Sequence, residues 1–565
     1  MKKHLNKWIP FLIIIFVATA LRFYQLGNVP IELNRDEASL GYTAYSLLQT
    51  GKEEHGQSWP INIESFGDWK LPAYVYTLIP FIKIFGLKAW VVKLPSALAG
   101  IGIVILSAVI TWLLTSSWKD QNKRITLSTL VAFMITISPW NIHMSHMAYE
   151  ANLGMLFLMT GVALLLTALQ NKSKRVLLIP SAFFFGLTFF SYHSYQVFMP
   201  LLVLSFLSIY WKKAKNIFET EKKISYISIA IGALFTIALI ATSLSANQTK
   251  LSGLSIFDKS SYSVVMEENR GYFENRNSLL AKLHSNNFYF IFNQAQRNIA
   301  DIFSSKFLFF EGGSHGSHDI PGTGKMHPVA FIFLIIAGYK FLTIWQEKKL
   351  EKWHKVIMAW LLVSIVAPFI TFEAAHTIRF SPALFSLEFL SAYGLFILLE
   401  KALKDNKYKI IAGLTIFILL YSFVYFFATY FFVAPKRDID KHNWQIERLV
   451  ELVNDRGDRY DLISMPGTEW SPYIYFLLFN QTDPNSLSKD LEFYDPDHEG
   501  FRHVKRLGNI HFSLIDWNDQ SGKSVLYVIK SKEVPGDKLE SEKYRLEYSL
   551  TNPYAKHEWL LLGRK

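Results

Sequence analysis

The sequence predicts a polytopic α-helical membrane protein of about 11 transmembrane helices, with a small α/β domain outside the membrane at its C-terminal end. Three observations predict it. Of the 565 residues 51% are hydrophobic and 16% aromatic, beyond the range of ordinary soluble enzymes. Apolar runs of spanning length recur through residues 1–433. From Ala434 onward the composition turns mixed and polar, and strand-like runs alternate with helix-like ones.

The apolar runs cover residues 8–26, 89–115, 125–142, 150–170, 176–191, 195–211, 224–244, 328–345, 355–372, 379–400 and 409–433. The first, Trp8 to Leu26, follows Lys2, Lys3 and Lys7 and has no small-residue cleavage site behind it, so it reads as a retained helix. Pro72, Pro80 and Pro95 interrupt the next stretch, which makes Leu71–Phe85 a helix along the membrane surface or re-entering it. In the C-terminal domain, Tyr460–Ser464 and Ser524–Ile529 read as strands, His442–Asn454 and Ser471–Asn480 as helices.

Lysine and arginine set the orientation. The loops with Lys119/Lys123/Arg124, Lys172/Lys174/Arg175, Lys212/Lys213/Lys215/Lys222/Lys223, Lys348/Lys349/Lys352/Lys355 and Lys401/Lys404/Lys407/Lys409 share one side, the cytoplasmic one by the positive-inside rule. The N-terminus is then cytoplasmic, while the loops 27–88 and 245–327 and the domain 434–565 are extracytoplasmic. The expected division is a transmembrane catalytic domain over 1–433, with those two loops as its active-site face, followed by the outer domain 434–565.

Residues 434–565 hold 19 Lys and Arg against 22 Asp and Glu, leaving 39 against 24 for the membrane part. The surplus positive charge of this +12 chain therefore reports topology and contact with anionic headgroups, not nucleic acid. Without cysteine the chain has no disulfides, thiolate metal sites or thiol nucleophiles.

Four outer segments concentrate chemistry. Arg35-Asp36-Glu37, with Gly41-Tyr42 behind it, puts carboxylates at a membrane boundary, where one can accept a proton from an attacking hydroxyl or simply cap a helix. Lys70, in Gly67-Asp68-Trp69-Lys70-Leu71-Pro72-Ala73-Tyr74, can hold a lipid phosphate or merely snorkel. The turn from Ser138 to Asn152 gathers Trp140, His143, His146, Tyr149, Glu150 and Asn152, a set suited to sugar recognition. His143, His146 and Glu150 also have helical spacing for a metal, though interfacial His and Tyr are common without one. Arg379 and His376 can bind phosphate oxygens, or the arginine can tie helices through a carboxylate. The glycine-rich Phe307–Gly324 segment reads as a lid or a flexible loop, and no nucleotide phosphate loop is present.

Taken in order, Arg35-Asp36-Glu37-Ala38 with Gly41-Tyr42, Lys70-Leu71-Pro72-Ala73-Tyr74, Lys93-Leu94-Pro95-Ser96-Ala97, Ser138-Pro139-Trp140 through Tyr149-Glu150-Ala151-Asn152-Leu153, and Phe309-Phe310-Glu311-Gly312 resemble the GT-C superfamily of glycosyltransferases. The resemblance is to the protein O-mannosyltransferase and lipid A aminoarabinose transferase type. It implies a GT-C fold and transfer of a mannose- or aminoarabinose-like sugar, with inversion, from a polyprenyl-phosphate donor to an extracytoplasmic protein, lipid or glycan. It implies Asp36 as the general base, Glu150 as the acidic residue of the second outer loop, and Lys70 and Arg379 at the donor phosphate. To these the reading of the residues themselves adds Glu37 as a catalytic acidic group, His376 at the phosphate, and Arg35, Tyr42, Tyr74, Trp140, His146, Tyr149 and Asn152 as sugar or acceptor contacts. Where the family usually has Lys-Pro-Pro-Leu, this chain has Lys70-Leu71-Pro72-Ala73. The resemblance requires no cofactor and leaves a divalent metal open. It places the chain in the plasma membrane, with the lipid bilayer and a polyprenyl-linked donor as partners. A transporter of lipid-linked saccharides and an oligosaccharide ligase of the same superfamily are the competing readings. Repeated halves or charged mid-membrane helices would favour transport, and the sequence shows neither.

Overall fold

Helices follow the apolar runs because a backbone in lipid must satisfy its own hydrogen bonds. The computed structural model describes residues 2–29, 32–245, 255–313, 316, 318–438, 445–467, 471–495, 502–517, 522–552 and 558–564. Ser314, His315 and Ser317 of the glycine-rich segment, and His442, Asn443 and Trp444 at the start of one expected helix, lie outside the described residues.

In chain order the elements begin with α1 (Lys2–Phe23), α2 (Arg35–Thr50), the hairpin β1 (Ile63–Ser65) and β2 (Asp68–Lys70), α3 (Ala73–Phe85), α4 (Ala89–Leu114), α5 (Gln121–Ile137), α6 (Pro139–His146) and α7 (Glu150–Gln170). They continue with α8 (Leu178–Phe189), α9 (His193–Ile209), α10 (Trp211–Thr220), α11 (Lys222–Ser245), α12 (Lys259–Gly271), α13 (Leu279–His284), α14 (Asn287–Ile302), α15 (Ala330–Gln346), α16 (Lys352–Ser364), α17 (Val366–Phe369), α18 (Leu384–Ala402) and α19 (Asn406–Ala428). After these come α20 (Ala434–Arg437), α21 (Ile446–Gly457), β3 (Leu462–Met465), α22 (Tyr473–Phe479), β4 (Leu491–Phe493), β5 (Val504–Leu507), β6 (Ile510–Phe512), β7 (Val525–Lys530), β8 (Tyr544–Thr551) and β9 (Glu558–Arg564).

All the expected spans carry helix, but not all at full length. Among the described residues six helices are long and apolar enough to cross a membrane, or eight if each of two bent pairs is one span. The runs at 176–191 and 328–345 carry the shorter helices Leu178–Phe189 and Ala330–Gln346, while that at 8–26 lies mostly in the 22-residue α1. Helix α3 has 13 residues with Pro80 inside, too short to span.

The chain divides into two compact units, Met1–Tyr24 with Ser96–Thr429 and Gln25–Pro95 with Tyr430–Lys565. In the first, α18 is mostly enclosed and packs against α5, α15, α16 and α19. By contrast α11 turns Ile227, Ile229, Leu234, Ile237 and Ile240 outward, a surface suited to lipid. Pro139 cannot continue the ladder of α5, and α6 leaves at a 55° bend. The buried Arg22 fills the break, donating to the carbonyls of Ile135 (3.1 Å) and Thr136 (3.2 Å) and to Asn141 Oδ1 (2.5 Å). A cation at the negative end of α5 thus replaces the missing backbone partners.

In the second unit, a seven-stranded sheet of order β4-β5-β6-β3-β7-β9-β8 carries β3 parallel to β6 and β7. The expected runs at 460–464, 471–480 and 524–529 become β3, α22 and β7. This unit also contains the loop 27–88. Helix α2 packs on α3 and α22, and Gly41 permits the approach, since a Cβ there would meet Val92 Cγ2 at 2.7 Å and Leu478 Cδ1 at 3.0 Å. Gly41→Val should therefore destabilise this unit by about 1–3 kcal/mol, seen as a lower Tm of the detergent-solubilised chain; an unchanged Tm would contradict the packing.

Candidate active site

Asp36 sits in the first turn of α2, yet it does not cap the helix. Asn34 is the N-cap: its Oδ1 accepts from the Glu37 N–H (2.9 Å), and Glu37 Oε2 accepts from the Asn34 N–H (2.9 Å). The capping reading thus moves from Asp36 to Asn34, and the buried Glu37 carboxylate closes the box. Asp36 is left outward, with its side chain 53% exposed.

Lys70, only 9% exposed, donates to Asp36 Oδ1 (3.1 Å) and to the Asp36 carbonyl (3.1 Å). Two of the three ammonium protons are thereby committed to one residue. The hairpin makes this geometry. Its two turn residues, Phe66 (φ 60°) and Gly67 (φ 81°), both adopt left-handed backbone, the two-residue turn that matches strand twist. Phe66 is a bulky residue to hold there, and its ring lies 5.6 Å below the Lys70 ammonium and 5.5 Å from the Arg35 guanidinium. Ser39 and Ser65 share a hydrogen bond of 2.8 Å between α2 and β1. Arg502 donates to the Phe66 carbonyl (3.1 Å) and pairs with Glu64 (3.3 Å).

Tyr42 and Tyr74 lie beneath this surface. Both are buried, with hydroxyls donated to the carbonyls of Thr482 (2.9 Å) and Val92 (2.8 Å). Each hydroxyl thus ties its helix to a neighbouring backbone beneath the Asp36–Lys70 surface. Behind them, burial pushes the Glu54 carboxyl up to about 7, although Thr43 donates to it at 2.6 Å. Burial likewise takes Glu32 up to about 7, against a hydrogen bond from the Glu447 N–H (3.1 Å).

The other expected residues belong to the first unit, on the turns after α5, α14 and α17. Trp140 is buried and donates Nε1–H to the Thr377 carbonyl (3.1 Å). His146, also buried, places its ring nitrogens against the carbonyls of Ile142 (2.9 Å) and Tyr24 (3.1 Å). Asn152 ties α7 to α4 through the Ser96 carbonyl (2.9 Å) and hydroxyl (3.0 Å). All three hydrogen-bond within the first unit. Glu150 opens α7, where the helix dipole favours its charge. Tyr149 lies edge-on between the rings of His143 (5.9 Å) and His318 (5.5 Å).

His376 Nδ1 accepts from the backbone N–H groups of Ile378 (3.2 Å) and Arg379 (3.4 Å), which assigns the proton to Nε2 and directs it to His318 Nδ1 at 3.1 Å. Arg379, mostly buried, donates to the Glu373 carbonyl (3.1 Å) within its own turn and stands 3.9 Å from the Glu373 carboxylate. Among the described residues no three His, Asp or Glu side chains come together as a ligand set. His143 instead meets the His318 carbonyl at 3.1 Å.

One feature of these turns was not legible in the sequence. The buried Asp319 accepts from Lys325, from the Thr377 hydroxyl and from the Gly313 N–H (2.9 Å). Burial alone would raise its carboxyl, but the Lys325 charge and these donors hold it well below the usual range. Gly313 is required for this contact, since a Cβ would stand 2.6 Å from Asp319 Oδ2 and 2.7 Å from the Ala375 carbonyl. The glycine-rich segment is thus pinned to the Glu373–Arg379 turn. An Asp and a Lys six apart among glycines were the available signal.

No family model and no curated protein matches the sequence. Solved structures do. The structure of ArnT from Cupriavidus metallidurans in the apo state aligns over 99% of this chain and 98% of its own, at 10% identity and a TM-score of 0.50. The archaeal oligosaccharyltransferase AglB from Archaeoglobus fulgidus, in complex with an inhibitory peptide and a dolichol-phosphate, aligns over 84% of this chain at 12% identity and a TM-score of 0.50. This chain has the GT-C fold. It spans 64% of the length of the AglB chain, and at such identities the likeness speaks to fold alone.

Two predictions follow from the buried charges. Asp319→Ala leaves the Lys325 ammonium buried without its carboxylate and should cost about 3–5 kcal/mol, read as a large drop in Tm; a drop of under a degree would contradict the pairing. A glutamate with an ordinary value of 4.5 and a folded value of about 7 contributes stability below pH 4.5 that is lost as pH rises through 7. Glu54→Gln should accordingly raise Tm at pH 8 by roughly 2–5 °C and change little at pH 4.5, whereas an equal shift at both would contradict the burial effect.

Proposed function

We propose that this protein is a membrane glycosyltransferase that moves one sugar from a polyprenyl-phosphate donor to an extracytoplasmic acceptor, with inversion. The observation that carries the reading is the Asp36–Lys70 pair on the capped first turn of α2, in a chain with the GT-C fold. A solvent-facing carboxylate stands beside a fixed ammonium on a segment next to the membrane. That combination suits a hydroxyl nucleophile and a phosphate leaving group.

In the proposed reaction Asp36 takes the proton from the acceptor hydroxyl as its oxygen bonds to the anomeric carbon. The bond from that carbon to the phosphate oxygen breaks, and the polyprenyl phosphate leaves with the electron pair. The remaining Lys70 proton faces the charge that develops on the leaving group, while Arg35 adds positive potential across Phe66. In the first unit, the resemblance makes Arg379 a candidate phosphate contact and Glu150 a candidate acidic group, with His376 beside Arg379 as a candidate donor. The dolichol-phosphate in the AglB structure supports a lipid-linked donor for this fold. The sequence places the reaction on the outer face of the plasma membrane, where a polyprenyl carrier presents its phosphate.

The test is turnover by the purified chain with polyprenyl-phosphate sugars. Asp36→Asn should lower kcat by about 10²–10⁴-fold with little change in donor KM, and Lys70→Gln should raise donor KM. Turnover by Asp36→Asn at the wild-type rate would remove Asp36 as the base. Transfer of an oligosaccharide from a diphosphate carrier would favour the ligase reading, and translocation without transfer the transporter. The reaction as proposed needs no metal, so dialysis against EDTA should leave the rate unchanged; loss of activity restored by Mg²⁺ or Mn²⁺ would contradict this.

A further inference from the structure

A second site stands at the opposite, lysine-rich ends of the helices of the first unit. A cavity of about 360 Å³ is lined by Trp118, Lys123, Lys340, Tyr393, Phe396 and Glu400, with Lys401 and Lys404 at its rim. Four lysines thus face one glutamate. Glu400 pairs with Lys123, while among the described residues Lys340, Lys401 and Lys404 have no carboxylate within ion-pair distance. The other wall is aromatic: Phe396 lies 5.9 Å from Trp118 and 6.3 Å from Tyr393, ring centre to ring centre.

We propose that this cavity binds the phosphate headgroup of an anionic membrane lipid. Lys340 in the body of α15, Lys401 in the last turn of α18, where it lies over the Tyr408 ring, and Lys404 just beyond that helix line one cavity without a carboxylate partner of their own, and the Lys and Arg distribution puts it on the cytoplasmic face. The aromatic wall suits the boundary between headgroup and acyl chains, where Trp and Tyr are at home. A free phosphate ion would use the lysines but leave that wall without a partner. Binding would neutralise Lys340 of α15 and Lys401 and Lys404 at the end of α18, beside the Lys123–Glu400 pair that already ties α5 to α18. This site is independent of the transferase reading.

Native mass spectrometry of the full chain, released from mixed micelles of phosphatidylglycerol and phosphatidylcholine, tests it. The wild type should retain phosphatidylglycerol in preference to phosphatidylcholine. The variant Lys340→Gln/Lys401→Gln/Lys404→Gln should lose that occupancy by about tenfold. The control Lys212→Gln/Lys222→Gln/Lys223→Gln, made at exposed lysines of the same face outside the cavity, should retain it. All six lysines are exposed, and an unchanged Tm of each variant checks folding. Equal retention by both variants, or equal loss, would overturn the site. Displacement of the lipid by millimolar inorganic phosphate would assign the cavity to the free ion and overturn the lipid proposal.

Discussion

The contact between Lys70 and Asp36 governs the second unit, because a nearly buried ammonium must have fixed partners and those partners must be held in place. Asn34 and Glu37 set the first turn of α2 and so the position of Asp36. The two-residue turn at Phe66 and Gly67 sets the end of β2 and so the position of Lys70. Arg502 then holds that turn from the C-terminal sheet region, and Tyr42 and Tyr74 hold α2 and α3 from below. The C-terminal segment therefore has a structural task that its residues alone do not announce: it braces the loop carrying the Asp36–Lys70 pair.

The first unit solves the same problem differently. It buries Arg22 at the end of α1 and Asp319 and Lys325 in the turns; Arg22 and Asp319 are each met by several partners at once, and Lys325 is paired with Asp319. Arg22 takes over the carbonyls that Pro139 releases, and Asp319 gathers the glycine-rich segment onto the turn bearing His376 and Arg379. Polar networks of this kind are costly when incomplete, so they favour one arrangement of the turns over its neighbours. The candidate residues at the surface of these turns inherit their positions from the network below.

Much of this was legible in the sequence. Periodicity and length gave the helices, lysine placement gave a self-consistent orientation, and the ordered motifs gave the GT-C fold that the structural likeness supports. The expected spans were less uniform than their hydropathy, because Pro139 and the Tyr210–Trp211 junction bend two of them and two others are short. Side-chain roles were harder to read. Sequence spacing does not separate a tyrosine that faces a ligand from one, like Tyr42, whose hydroxyl meets a carbonyl 440 residues away. Nor does it reveal that Asn34 and not Asp36 caps α2, since both precede the same helical run. The Asp319–Lys325 pair escaped because glycine-rich segments carry no periodicity from which burial can be inferred.

The claim that rests on the Asp36–Lys70 pair is most directly tested in cells. Mass spectrometry of the polyprenyl-phosphate sugars and envelope glycans, compared between wild-type protein and Asp36→Asn at equal expression, reads donor and product together. The account predicts that the variant accumulates one polyprenyl-phosphate monosaccharide and loses one glycan residue of matching mass. Unchanged pools of both would contradict it.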